Sequence, residues 1–192
     1  MFLQIKRTSA FLALPVLILL LQGAIAFAHI EKGQMPDALA VMEYRILLEF
    51  EPENHEVRNM LGMALYRQGK LDDAEQEFNF VLSRDPKNFD ALDALGLVKI
   101  EQGTLDHAMD LFKKAIFLNP DDILVYYHLG QAQELSGDFQ SAAQTYRTGL
   151  HRQSTDQQSQ SFAEQRQQLI EGLKRLQDRL QKKSVSNSSS GL

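Results

Sequence analysis

No cysteine occurs among the 192 residues. That excludes disulfides, thiolate nucleophiles, cysteine-ligated zinc and lipid anchors attached through a cysteine. A glycine-rich phosphate loop and a nucleophile elbow are missing as well. The five histidines (His29, His55, His107, His128, His151) show no i,i+4 spacing that would set two rings on one helix face. A mature amino terminus at His29 would offer an amine and a ring to copper, but no second histidine is close in sequence. Serines cluster near the C-terminus, where nothing would orient a base. The acidic pairs Asp72–Asp73 and Asp121–Asp122 fall where helices should start, and the helix dipole accounts for them without a general-acid role. The expectation is a protein with no catalysis, no cofactor and no metal.

Positive charge is also scarce. The formal net charge is −5, and Lys6 and Arg7 are the only charges before His29, so the remainder is more acidic than the total suggests. An acidic body repels phosphate backbones, which argues against nucleic acid as a partner. The stretch 158–184 is basic on balance, yet its Arg and Lys residues are interleaved with Glu164, Glu171 and Asp178 and fit a solvated helix face.

One long apolar run is present, at the start. Lys6 and Arg7 form a positive region, Phe11–Leu21 is an apolar core, and "AFA" ends at Ala28 in the small-x-small pattern of a signal-peptidase site. Residues 1–28 therefore read as a signal peptide cut after Ala28. The rival is an uncleaved membrane anchor, against which Gln22 and Gly23 interrupt a run short of the roughly 20 apolar residues a span needs. Either way Lys6 and Arg7 hold the N-terminus on the cytoplasmic side and the rest is exported. In a Gram-negative cell that means the periplasm, or the inner membrane facing it.

The body of the chain repeats itself every 34 residues. Units 55–88, 89–122 and 123–156 each carry a leucine–glycine pair (Leu61–Gly62, Leu95–Gly96, Leu129–Gly130). Each then has a second glycine (Gly69, Gly103, Gly137), an alanine (Ala74, Ala108, Ala142) and an aromatic (Phe78, Phe112, Tyr146). Pro86 and Pro120 close two of the units, while the third has Ser154. Apolar residues at three- and four-residue spacing, as in Val57, Leu61 and Leu65, predict two helices per unit. The second glycine turns the chain, small residues allow close approach, and proline stops the second helix. Such a hairpin cannot bury its apolar face alone, so neighbours must stack on it.

These residues resemble the tetratricopeptide repeat family over about 55–156. The resemblance implies an all-α fold: a right-handed superhelix of stacked antiparallel helical hairpins, three full repeats and one partial, with a C-terminal capping helix. Departures from the family pattern are Lys99 and Gln133, where a bulky apolar residue or tyrosine is usual, and Arg58 and Leu92, where a large aromatic is common. The partial unit spans 33–54, with Ala40 and Tyr44 as far from Pro52 as Ala74 and Phe78 are from Pro86. Its helix is apolar nearly all round, which calls for cover on more than one side. Either it packs tightly on the first full hairpin, or it leaves a face for a partner, a second copy or a retained leader. Residues 157–183 form a further helix with a leucine edge (Leu169, Leu173, Leu176, Leu180), expected to cap the last hairpin, and 184–192 read as a disordered tail.

The resemblance also implies where function lies: on a concave groove lined by the first helix of each unit. Its partner-binding residues are then Asn59, Met63, Tyr66 and Arg67; Asp93, Leu97, Ile100 and Glu101; and Tyr127, Gln131 and Glu134. Only Arg67 among them is basic, so a clamp for a terminal carboxylate is not expected, and an apolar segment with some basic residues suits the groove better. The leading expectation is a protein–protein interaction scaffold in the cell envelope, by resemblance in pilus or secretion-machine assembly or in cofactor-protein maturation. The second is a self-associating structural component (a homo-oligomer) assembling through the 36–50 helix or the leucine edge of 162–180. An enzyme is the remote third.

Overall fold

The computed structural model describes residues 36–152 and 160–189. The leader and its cut site, Ser154 and the last three residues lie outside that range. Eight helices and no strand occur among the described residues: α1 (Asp37–Phe50), α2 (His55–Arg67), α3 (Leu71–Arg84), α4 (Phe89–Glu101), α5 (Leu105–Leu118), α6 (Ile123–Ser136), α7 (Phe139–Leu150) and α8 (Gln160–Ser189). Helices α2–α3, α4–α5 and α6–α7 are antiparallel hairpins stacked in a superhelix, so that α2, α4 and α6 adjoin along one surface.

The repeat recurs in its backbone chemistry as well as in its side chains. Asn54, Asn88 and Asp122 cap the three first helices. Their side-chain oxygens accept from the N–H groups of Val57 (3.0 Å), Ala91 (3.0 Å) and Leu124 (2.9 Å), satisfying donors that no helical carbonyl can reach. At the hairpin turns Gly69, Gly103 and Gly137 have φ of 72°, 75° and 86°, a left-handed conformation that costs glycine little. The chain then closes each helix end on itself. The N–H of Lys70 reaches the carbonyl of Leu65 at 3.0 Å, and those of Thr104 and Asp138 reach Lys99 and Gln133 at 2.9 Å.

Within each hairpin a glycine lies under an aromatic ring. A Cβ added to Gly62 would fall 2.6 Å from the ring of Phe78, and Gly96 and Gly130 meet Phe112 and Tyr146 as closely. Ala74, Ala108 and Ala142 beside these rings are fully buried. The core runs without a break from Ala40 and Val41 in α1 to Leu129 and Ala132 in α6.

The departures from the family pattern have local explanations. Lys99 is 8% exposed and reaches back to Glu75 of the preceding hairpin at 2.5 Å. Gln102 ties the same pair together, accepting from Lys99 at 2.9 Å and donating to Glu75 at 2.9 Å. Arg58 bonds Glu77 at 2.7 Å and the carbonyl of Pro52 at 2.7 Å. Its guanidinium lies 3.6 Å from the centre of the Phe80 ring, with Arg84 3.7 Å from that centre. Leu92 is simply core. Gln133 is buried with its side-chain oxygen unpartnered.

The two ends behave differently. Helix α8 packs on α6 and α7, burying Leu169 and Leu176 against Tyr126, Ala142 and Tyr146. Gly172 comes so close that a Cβ there would sit 2.6 Å from the Tyr146 ring. Two leucines of the expected edge, Leu169 and Leu176, are thus taken up in capping and Leu173 is half-buried; Leu180 lies outside the residues whose side chains are described. The stretch expected to be disordered from residue 184 instead continues α8 to Ser189. No glycine or proline interrupts 173–190, and extending a formed helix costs far less than nucleating one. At the other end α1 buries Ala40, Val41 and Tyr44, while Leu39, Met42, Ile46, Leu47 and Phe50 stay exposed.

Two outcomes follow from this packing. Gly96→Leu should overpack the second hairpin and lower stability by about 1–3 kcal/mol, read as a drop in the urea midpoint. The second concerns Glu75, whose carboxyl is held below its ordinary range, chiefly by the Lys99 hydrogen bond. A depressed folded pKa adds stability that is complete above the unfolded value of 4.5 and is lost as pH falls through the folded one. Lys99→Met should therefore cost about 1–3 kcal/mol at neutral pH, allowing for the partial exposure of Glu75. The gap to the parent protein should narrow as pH drops below 4.5; a pH-independent gap would mean the pair contributes only packing.

Candidate functional site

The surface along α2, α4 and α6 carries an open groove of about 560 Å³. Tyr66 comes from α2, Leu97, Ile100 and Glu101 from α4, and Tyr127, Gln131 and Glu134 from α6. Seven of the eleven residues expected to face a partner are thereby brought together. The apolar ones are half-buried: their inner edges pack on the core while their outer edges meet solvent.

Polar groups fix the groove's shape. Gln131 donates to the Tyr127 hydroxyl at 3.0 Å, and the Tyr127 ring stacks on Tyr146 with centroids 6.1 Å apart. Beneath them the Tyr146 hydroxyl donates to Glu134 at 2.6 Å. Burial, and then the Glu134 carboxylate, push the Tyr146 pKa far above its ordinary value, so the phenol remains a donor. Arg175 of α8 reaches the same Glu134 oxygen at 3.4 Å. Glu101 is exposed; burial and this neighbouring charge raise the pKa of Tyr66.

The other four expected residues lie elsewhere. Asn59, Met63 and Arg67 line a separate depression of about 360 Å³ with Tyr44, Glu56, Met60 and Asp90. Asn59 donates there to Asn88 at 3.0 Å. Asp93 lines neither depression. It accepts Nδ1 of His128 at 2.8 Å, tying α4 to α6, with the His128 ring 5.7 Å from Phe112 and 6.1 Å from Tyr127.

The charge pattern read from sequence needs correction. Arg67, the expected sole cation of the groove, lies outside the main one and is bound by Asp37 of α1 at 2.7 Å. The main groove instead receives Arg175 and Arg179 from α8, together with Leu135. Leu135 continues the four-residue step from Tyr127 and Gln131 and was legible on that spacing. The two arginines were not, because the register of α8 against α6 depends on tertiary packing. Arg179 has no carboxylate within ion-pair distance among the described residues.

Tyr146→Phe removes the donor that holds Glu134 while keeping the ring over Gly130. A loss of about 1.5–3 kcal/mol is expected for a hydrogen bond to a charged group, measured by thermal or urea unfolding; an unchanged midpoint would show that Arg175 alone suffices.

The comparisons agree with this architecture. No curated protein matches the chain. Among solved structures, the crystal structure of MamA superposes with a TM-score of 0.55 at 20% sequence identity, over 75% of this chain and 88% of that one. At that identity the likeness is one of fold. The tetratricopeptide repeat profile matches residues 24–88, 59–123 and 94–157 in overlapping registers. The chain belongs to the tetratricopeptide repeat family, whose members are scaffolds for binding other proteins or peptides.

Proposed function

We propose that this chain is an exported scaffold that captures an extended or helical segment of another cell-envelope protein in its main groove. The observation that carries the reading is the half-buried apolar floor of Tyr66, Leu97, Ile100 and Tyr127, held open by a hydrogen-bonded wall. An apolar surface kept at the bottom of a concave groove is costly unless a partner covers it. Export is supported by the leader of residues 1–28. A role in pilus or secretion-machine assembly accords with the family resemblance; with no cysteine, anchoring as a lipoprotein is closed.

The charges suggest the polarity of the bound segment. Glu101 offers a carboxylate for a basic side chain near Tyr66, and Arg179 brings a guanidinium to the α8 end of the groove. The segment is apolar in the middle, with a basic residue toward α2 and an acidic one toward α8. Binding rather than catalysis accords with the roles of Tyr146, Glu134 and Arg175, which serve as one another's hydrogen-bond partners in the groove wall.

Tyr66→Ala with Tyr127→Ala should reduce partner capture at least tenfold, the scale of two hot-spot aromatics. Helix content by circular dichroism should stay at the parental level. Capture that survives in the folded double variant would move the binding surface away from this groove.

A further inference from the structure

Helix α8 extends the row of helices that lines the groove. Near its start, Leu169 and Tyr126 meet at Gly149; further along both helices, Arg175 meets Glu134. Helix α8 therefore runs parallel to α6 and adds a fourth stave to α2, α4 and α6. Hydrogen-bonding capacity is sorted along this row. The positions of α2 and α4 equivalent to Tyr127 are Asn59 and Asp93, and both are spent inside the stack, on Asn88 and His128. Tyr127 is spent differently. Its hydroxyl accepts from Gln131 at 3.0 Å, which leaves its own proton to donate. The carboxylate beside it, Glu134, already takes Tyr146 at 2.6 Å and Arg175 at 3.4 Å. Arg179, one turn beyond Arg175, also lines the groove, with its guanidinium 5.5 Å from the centre of the Phe139 ring. The end of the groove over α6 and α8 thus presents donors, and its one carboxylate is charge-paired.

We propose that this end is a subsite for an aspartate or glutamate side chain of the bound segment, with Tyr127 and Arg179 as the specificity-determining contacts and Arg175 as a positioning residue. The assignment rests on the groove being the surface of capture. A carboxylate brought over α6 and α8 takes the O–H of Tyr127 and the N–H fork of Arg179, and charge-assisted bonds of this kind are the stronger ones. Arg175 acts through Glu134. Their pairing cancels a negative charge that would otherwise repel the incoming carboxylate. The carboxylate belongs to a side chain within the segment and not to a chain end. Helix α8 lines the groove as a further stave parallel to α6 and does not close it, so the segment runs on across it.

The test uses the full chain in intact cells with a photoreactive residue at Ile100, and reads the yield of its protein adduct and the partner peptide attached. Arg179→Glu should lower the yield about tenfold. Arg175→Met should lower it several-fold, and adding Glu134→Gln, which keeps an acceptor for the Tyr146 hydroxyl, should restore it. Glu134→Gln should not restore Arg179→Glu. The attached peptide should carry an internal aspartate or glutamate, whose change to asparagine or glutamine in the partner lowers the yield as Arg179→Glu does. Circular dichroism checks that each variant keeps the parental helix content. A parental yield from folded Arg179→Glu would overturn the subsite while leaving the groove as the surface of capture. Failure of Glu134→Gln to restore Arg175→Met, or attachment at the partner's last residues, would overturn it too. No adduct from the parent chain would remove the groove reading and the subsite together.

Discussion

The contact on which the rest of this structure depends is that between a glycine of each first helix and an aromatic ring of each second helix. Gly62 under Phe78, Gly96 under Phe112 and Gly130 under Tyr146 bring two helices closer than any Cβ would allow. The same approach sets how closely the two helices of each hairpin pack. Side chains on the first helices then either enter the stack, like Leu61 and Leu95, or turn toward the groove, like Tyr66 and Ile100. At the C-terminal end the ring of Tyr146 has a glycine on two sides, Gly130 and Gly172. The capping helix therefore docks by the close approach that the hairpins use.

That dependence explains what could be read from sequence. The hairpins and their stacking were legible because glycine, alanine and aromatic recur at fixed distances, and each has one physical use at its place. The capping asparagines and aspartate recur as regularly, at Asn54, Asn88 and Asp122. Lys99 looked like a weakness in packing and proved to be half of an ion pair that clamps one hairpin to the next. Its partner Glu75 sits on a different helix, with no spacing rule linking the two. Serine-rich composition points to disorder from residue 184, whereas the helix already formed continues to Ser189.

Site residues were legible in kind and only partly in place. Of the first-helix positions expected to face a partner, seven line one depression and three another, and Asp93 turns inward to His128. Reading a single helix cannot show this, because the division arises where neighbouring first helices meet. The arrival of Arg175 and Arg179 from α8 changes the character of the groove most. It becomes a channel with an acidic side chain toward one end and guanidinium groups at the other, bounded by a helix that also completes the core. One helix thus both caps the last hairpin and lines the groove.

The most direct measurement is site-specific photocrosslinking of the full chain in intact cells, with a photoreactive residue at Ile100 on the groove floor or at Phe117. The Phe117 side chain is 86% exposed on α5, a second helix outside the groove-lining set. The account predicts one discrete adduct with another protein from Ile100, lost when Tyr66 and Tyr127 are both alanine, and no such adduct from Phe117. The same adduct from both positions, or one only from Phe117, would contradict it.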